Sequence, residues 1–397
     1  MVEEMFFELL RLAMGTQDGL SSAPTADEWR SLLGMAQKQA LVGVCFAGVK
    51  RLERKTPLKT MPVPLRMQWV AMTAHIQRQN EVVNRRCGEL CRKLSEEGFE
   101  TCLLKGQAFA EIYEACSHPL HNNSEGEAHT PSENEHRETF GLLRQSGDID
   151  MWVIANPRVV LAWARRTGRM RFFDYHHADV HLFPDVEVEL HYRPSISRNL
   201  VRNARLQRWF RECGREHLIY EESLQCYVPD WSFNIVLCIN HIFCHLFFEG
   251  VGLRQLMDCY YVLKANPNLL GLSDSREKKN SATEVVALLR HFKLLKFAAA
   301  VMWVEREVFG LQEEYMLCAP DERAGRILLS EIMRAGNFGH HDVRIKGVRD
   351  GNRMQLMWRW MKHSMRLFKL YPADVLWLPI GVVRISMWRR FQALSLN

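Results

Sequence analysis

The chain has no Cys-x-x-Cys pair, no internal repeat, no basic cluster at its start and no long apolar run. The first absence disfavours a zinc ribbon. The eleven cysteines are scattered. Cys45, Cys102, Cys238, Cys244 and Cys259 stand inside apolar stretches, which reads as buried free thiols of a reducing compartment. A membrane span needs about 20 consecutive apolar residues. The best run, 375–383, is short and interrupted by Pro379 and Gly381, so no span is expected. Glu3 and Glu4 occupy the place where a secretion signal carries Lys or Arg. A cytoplasmic protein is expected.

What is present is an ordinary globular mixture, 47% hydrophobic and 25% charged over 397 residues. That excludes a wholly disordered or fibrous chain. The net charge of +6 is uneven. Residues 344–390 carry eleven Lys/Arg against two acids, so the positive character belongs to the C-terminal tail. A tail helix is predicted over 353–370, with Arg359, Lys362, Arg366 and Lys369 along one face. Such a ridge suits either phosphate or plain solvent.

Residues 1–98 read as helical, because apolar residues recur at three and four (Met5, Phe6, Leu9, Leu10, Leu12; Trp29, Leu32, Leu33). Thr25 and Glu28 have the form of a capping box. A long helix is predicted over 65–97, ending at Gly98. Residues 99–104 then predict a strand, Lys105-Gly106 a turn and 107–115 a helix. Residues 117–138 hold one Leu and no aromatic or β-branched aliphatic residue. They offer too little apolar area to offset their ordering entropy, and a disordered insertion is expected. Strands are predicted at 147–153, 175–183 and 186–192, with a helix at 159–168. Helices follow at 201–212, 231–248, 253–265, 283–308 and 323–335. The expected class is α+β: a small mixed-sheet core at 99–200 between helical regions at 1–98 and 201–340, then a basic helical tail at 341–397.

The chemistry starts with Asp148-x-Asp150. Side chains alternate across a strand, so these two carboxylates share a face while Ile149, Met151 and Val153 point into the core. Paired carboxylates repel unless a cation lies between them, and hard divalent ions suit that oxygen-rich arrangement. In 186–191, Glu187, Glu189 and His191 share one face. If this strand pairs beside the first, one glutamate completes a three-carboxylate cluster. Such a cluster can hold two metals roughly 3.5–4 Å apart for displacement at phosphorus. Lys105-Gly106 before a helix is a third piece: a glycine lets backbone approach phosphate, and a helix N-terminus favours anions. His241 and His245 lie one helical turn apart, but Ile242 stands where a zinc-protease motif needs Glu. Arg254 and Asp258, at i and i+4, read first as a helix ion pair.

The order LLKG, then R-x-x-GDID, then VEVELHYR resembles the DNA polymerase β-type nucleotidyltransferase superfamily. It is most similar to a largely uncharacterised bacterial nucleotidyltransferase family within it. His241-x-x-x-His245, Gly250-Val251-Gly252-Leu253-Arg254-Gln255-x-x-Asp258 and Gly336-Asn337-Phe338-Gly339 extend the resemblance over about 100–340. It implies a Mg²⁺- or Mn²⁺-dependent transfer of a nucleoside monophosphate from an NTP such as ATP to an acceptor hydroxyl. It implies Asp148, Asp150 and Glu189 as catalytic metal ligands, Glu189 being preferred to Glu187. Lys105, Gly106, Arg144, Gly147 and Arg254 are then expected on the nucleotide. Two departures are the 117–138 insertion and the lack of a small hydroxyl residue in the Lys-Gly turn. The acceptor stays open: protein, small molecule, glycan intermediate or RNA. Oligomeric state stays open too. Two other readings compete: a glycosyltransferase gripping a nucleotide-sugar through its DxD, and a catalytically silent scaffold on the same fold.

Overall fold

The computed structural model describes residues 2–55, 57–117, 140–167, 169–267, 269, 281–339, 361–362 and 364–395. The expected insertion, apart from residue 117, lies outside them, as does half of the predicted 353–370 helix, Arg359 included.

Three helices open the chain: α1 (Val2–Met14), α2 (Ala26–Lys38) and α3 (Val42–Lys55). Thr25 and Glu28 cap α2 reciprocally, as their spacing predicts. α4 (Val63–Glu96) is 34 residues long. Next come β1 (Thr101–Leu103), α5 (Gln107–Ser117), β2 (Ile149–Val153), α6 (Pro157–Arg166), β3 (Met170–Phe173), β4 (His177–Val180) and β5 (Val188–His191). After α7 (Leu200–Glu212) a hairpin forms from β6 (Leu218–Glu221) and β7 (Cys226–Pro229). The remaining helices are α8 (Trp231–Phe248), α9 (Leu253–Lys264), α10 (Ala282–His291), α11 (Leu295–Phe309), α12 (Glu322–Ala335) and α13 (Pro372–Ser395).

The seven strands make one mixed sheet in the order β3-β4-β5-β2-β1-β7-β6. β2 runs parallel to β5 and antiparallel to β1; β1 runs parallel to β7. The fold is therefore α+β, with helices making up most of the described chain.

The two faces of the sheet serve different cores. Leu103, Ile149, Met151, Val153, Ala178, Val180, Val188 and Leu190 face α4 and α6, packing on Val83, Cys87, Leu90, Leu94, Leu161 and Trp163. Cys102 and Trp152 face the other way, into a larger cluster built from α1–α3, α8, α9 and α11. α4 belongs to both cores: Trp69 and Ile76 are in the helical one, and Val83, Cys87, Leu90 and Leu94 in the sheet one. The period of two in 149–153 and 186–191 is thus realised as predicted, with apolar residues on one face and acids on the other.

Four features depart from the sequence reading. β3 and the β6–β7 hairpin were not anticipated. The predicted 283–308 helix is two helices, α10 and α11, because Lys293 turns left-handed at φ 59° while Phe292 and Leu294 stay fully buried. No helix bounds were predicted over 375–383, where α13 runs continuously despite Pro379 and Gly381. Gly381 is needed for close packing there, since a Cβ would lie 2.4 Å from the Arg198 carbonyl oxygen. The fourth is α8. Among the described residues it is the one helix long and apolar enough to cross a membrane, and 78% of it is buried inside the protein.

Candidate active site

Asp150 stands opposite Glu189 across the parallel β2–β5 pair, and Asp179 stands opposite Glu189 from β4. His191 pairs with Trp152 on one side and with His177 on the other. Alternation then puts Asp150, Glu189, His191, His177 and Asp179 on one face. Among the described residues, donor atoms of Asp150, Glu189 and His191 gather within 4.8 Å of one another, as do those of His177, Asp179 and Glu189. Asp148 precedes β2, is exposed and stands outside these groups. Glu187 is largely exposed and reaches Arg171 at 3.2 Å, away from the cluster.

Lys105 closes the site from the β1 side. Leu104 N–H donates to the Asp150 carbonyl, so the turn is fastened to β2 by backbone. Lys105 Nζ lies 2.8 Å from Asp150 Oδ1. Gly106 takes φ 63°, and a Cβ there would sit 3.6 Å from the Asp148 carbonyl oxygen. Only a residue at home in left-handed backbone makes this turn without strain. α5 begins at once, its N-terminus beside the acids.

The electrostatics divide the two in-register acids. Burial would push Asp150 up, but Lys105 and His191 outweigh it and hold the carboxyl far below the usual range. His191 Nε2 is 2.9 Å from Asp150 Oδ1 and 3.1 Å from Glu189 Oε2. Glu189 is pushed well up, first by burial and then by Asp148 and Asp150, against His177 and Lys105. Lys105 moves up despite burial because Asp150, Glu189 and Asp148 surround it. Burial, then Lys105 and His245, push His241 of α8 down, as expected of a neutral imidazole near the site. His245 pairs with Glu249 at 3.1 Å.

The predicted nucleotide residues fall into two settings. Arg144 is buried and bidentate to Asp258, Nε to Oδ1 at 2.7 Å and Nη2 to Oδ2 at 2.8 Å. Tyr113 Oη donates to the same Oδ1 at 2.8 Å. Asp258 thus serves Arg144, and the i, i+4 pair with Arg254 read from the sequence is replaced by this long-range one. Arg254 reaches back to the Gln145 carbonyl at 2.9 Å and lies 5.4 Å over the Phe338 ring. A Cβ on Gly147 would be 3.8 Å from Arg254 Nη1, so this guanidinium borders the segment carrying Asp148. The Gly-Asn-Phe-Gly stretch holds Phe338 beneath it. At Gly339, φ is 66°, and a Cβ would collide with the Glu249 carbonyl at 1.6 Å.

Sequence reading missed His176, His177 and Asp179. His177-x-Asp179 is an i, i+2 polar pair, the same signal as Asp148-x-Asp150, but it lay unremarked inside a predicted strand. A pocket of about 560 Å³ lined by Arg169, Met170, Arg171, His181, Phe183 and Pro184 opens at the β3–β4 edge and includes none of the clustered acids.

No curated protein and no solved structure matches the chain. A family model described as an uncharacterised nucleotidyltransferase matches residues 25–118 and 141–310. These stretches take in the Lys105-Gly106 turn, Asp148, Asp150, Glu189 and the start of α9. On well over half of its length, and through every element that builds this cluster, the chain belongs to that uncharacterised nucleotidyltransferase family.

Proposed function

We propose that the chain transfers a nucleoside monophosphate from an NTP to an acceptor hydroxyl, with Asp148, Asp150 and Glu189 as ligands for Mg²⁺ or Mn²⁺. The observation that carries this reading is the register of Asp150 with Glu189 on parallel neighbours, beside the Lys105-Gly106 turn. The donor set fits a hard cation. The Asp150 and Glu189 oxygens converge, and Asp148 is near enough to add to the upward push on Glu189, so the acids are only partly balanced by Lys105 and the histidines. A bound divalent ion would neutralise phosphate charge and lower the pKa of the attacking hydroxyl.

The chain's own residues supply positioning. Gly106 and the first turn of α5 present backbone N–H groups to phosphate oxygens, and Lys105 adds an ammonium. Arg254, whose buried Nε has no partner, offers a donor toward the same space. Arg144 acts through Asp258 and Tyr113, fixing the segment that leads into Asp148. On this reading 99–200 is the catalytic unit and 201–340 closes the cleft. Eleven free cysteines suit the reducing, NTP-rich cytoplasm.

The test is incubation of purified protein with α-labelled NTPs and cell extract, with and without Mg²⁺. Mg²⁺-dependent covalent labelling of an acceptor, with pyrophosphate released and loss in Asp150→Asn, is expected. Turnover of nucleotide-sugars but not NTPs would replace the reading by the glycosyltransferase one. Turnover of neither would favour the scaffold.

A further inference from the structure

Beside the carboxylates lies a group with different chemistry. His176 precedes β4, His177 begins it, and His191 ends β5 opposite His177. The three rings crowd together, with centroids 4.2 Å (His176–His177), 5.4 Å (His176–His191) and 5.3 Å (His177–His191) apart. Each brings one ring nitrogen within 4.8 Å of the other two.

The hydrogen bonds fix the tautomer of one ring. His191 Nε2 faces two carboxylates, Asp150 and Glu189, so it is the N–H and Nδ1 is the lone pair. His177 stands between two carboxylates, with Nε2 3.1 Å from Asp179 Oδ1 and Nδ1 3.6 Å from Glu189 Oε2. His176 Nε2 is 2.9 Å from His177 Nδ1, and one of these two rings donates to the other. The Nδ1 atoms of His176 and His191 are both buried, and neither has a hydrogen-bond partner. Leaving a buried polar nitrogen unmatched is unfavourable. Three crowded imidazoles, two of them with a buried and unpartnered Nδ1 and one of these, His191, held by carboxylates through its other nitrogen, match a carboxylate–histidine–metal arrangement.

We propose that His176, His177 and His191 form a separate site for a first-row transition-metal ion, best matched by Zn²⁺, next to the oxygen-rich cluster. Imidazole nitrogen suits Zn²⁺, while Mg²⁺ demands oxygen, so the two neighbouring donor sets select different ions. His191 joins them. Its Nδ1 is buried with no hydrogen-bond partner, and its Nε2–H holds Asp150 and Glu189. Occupancy of the histidine site would therefore orient the carboxylates from behind. The proposal stands on these three rings and does not depend on nucleotidyl transfer.

The test uses the full chain stripped of metal by chelation, then titrated with Zn²⁺ by calorimetry and with Co²⁺ by visible spectroscopy. One Zn²⁺ per chain that excess Mg²⁺ does not displace is expected, with intense d–d bands for Co²⁺ from nitrogen-rich tetrahedral coordination. His176→Ala and His177→Ala should each weaken Zn²⁺ by at least about tenfold, the loss that even an outer partner's removal brings. Metal-free melting curves check their folding, and His176→Gln is the milder replacement. Three results would overturn the proposal: no Zn²⁺ uptake by the unsubstituted chain, weak octahedral Co²⁺ bands, or uptake unchanged by the histidine variants but lost in Asp150→Asn. No transfer assay enters, so failure here leaves the proposed reaction untouched.

Discussion

Lys105 Nζ lies 2.8 Å from Asp150 Oδ1, so the ammonium of the turn after β1 is the counter-charge of the carboxylate on β2. His191 approaches the same oxygen at 2.9 Å. Glu189, at the same height on the next strand, is left to burial and two aspartates, which outweigh His177 and Lys105. Two acids that look equivalent in a sequence therefore carry opposite stability roles, and substitutions should separate them.

Asp150→Asn removes the partner of a largely buried ammonium. Unfolding in urea should show a loss of about 3–5 kcal/mol, the usual cost of breaking a buried pair from one side. Label transfer should fall about a thousandfold, as when several kcal/mol of metal-borne stabilisation is removed. Unchanged stability would mean that Lys105 is solvated in solution.

Glu189→Gln should abolish transfer yet leave the metal-free protein as stable or more stable at neutral pH. Folded Glu189 holds its proton more tightly than the unfolded chain, whose value is near 4.5. Stability should thus fall as pH rises above that value, and the Gln variant should lose this descent. Asp150 runs the other way. Its contribution is present above about 3.8 and is lost as pH falls toward its depressed folded value. Melting curves across pH check both signs. Glu187→Gln, on an exposed side chain paired to Arg171, should leave transfer near normal.

Asp258→Asn strands the Arg144 guanidinium in the interior and should cost about 3–5 kcal/mol. Tyr113→Phe removes one hydrogen bond to the same carboxylate and should cost about 1 kcal/mol. Replacing Arg144 and Asp258 together by Met and Leu should be milder than Asp258→Asn alone, since no buried charge is then unpaired. A double-mutant cycle in denaturant measures the coupling.

Gly106→Ala keeps space, with its Cβ 3.6 Å from the Asp148 oxygen, but forces an L-residue to φ 63°. The expected cost is about 1–2 kcal/mol. Loss of stability in that range with a larger loss of NTP affinity would show that the turn itself meets phosphate. Unchanged affinity would place the nucleotide elsewhere.

The strands bearing Asp150 and Glu189 were legible because period-two alternation survives in short segments and Asp is out of place in an apolar run. The sheet's neighbours were harder. β6 and β7 are four residues each, too short for alternation to rise above the local composition. α13 was expected only as part of a helical tail at 341–397, without bounds; Pro379 and Gly381 disfavour an isolated helix, and close packing on the Arg198 backbone accommodates the glycine. The break between α10 and α11 was masked because Phe292 and Leu294 keep the apolar period through the turn. Arg144's partner was illegible in principle, since Asp258 lies 114 residues away and only the fold brings them together. His176 and His177 fell between motifs, where a doublet has no period to mark its face.

α4 has one further consequence. Its 34 residues span about 51 Å, enough to cross a small domain from end to end. Because Trp69 and Ile76 anchor one core while Val83, Cys87, Leu90 and Leu94 anchor the other, neither core can melt without unseating part of the same rod. Calorimetry should register a single endotherm for the sheet and the helices together, and fragments cut within this helix should each expose half of an apolar interface.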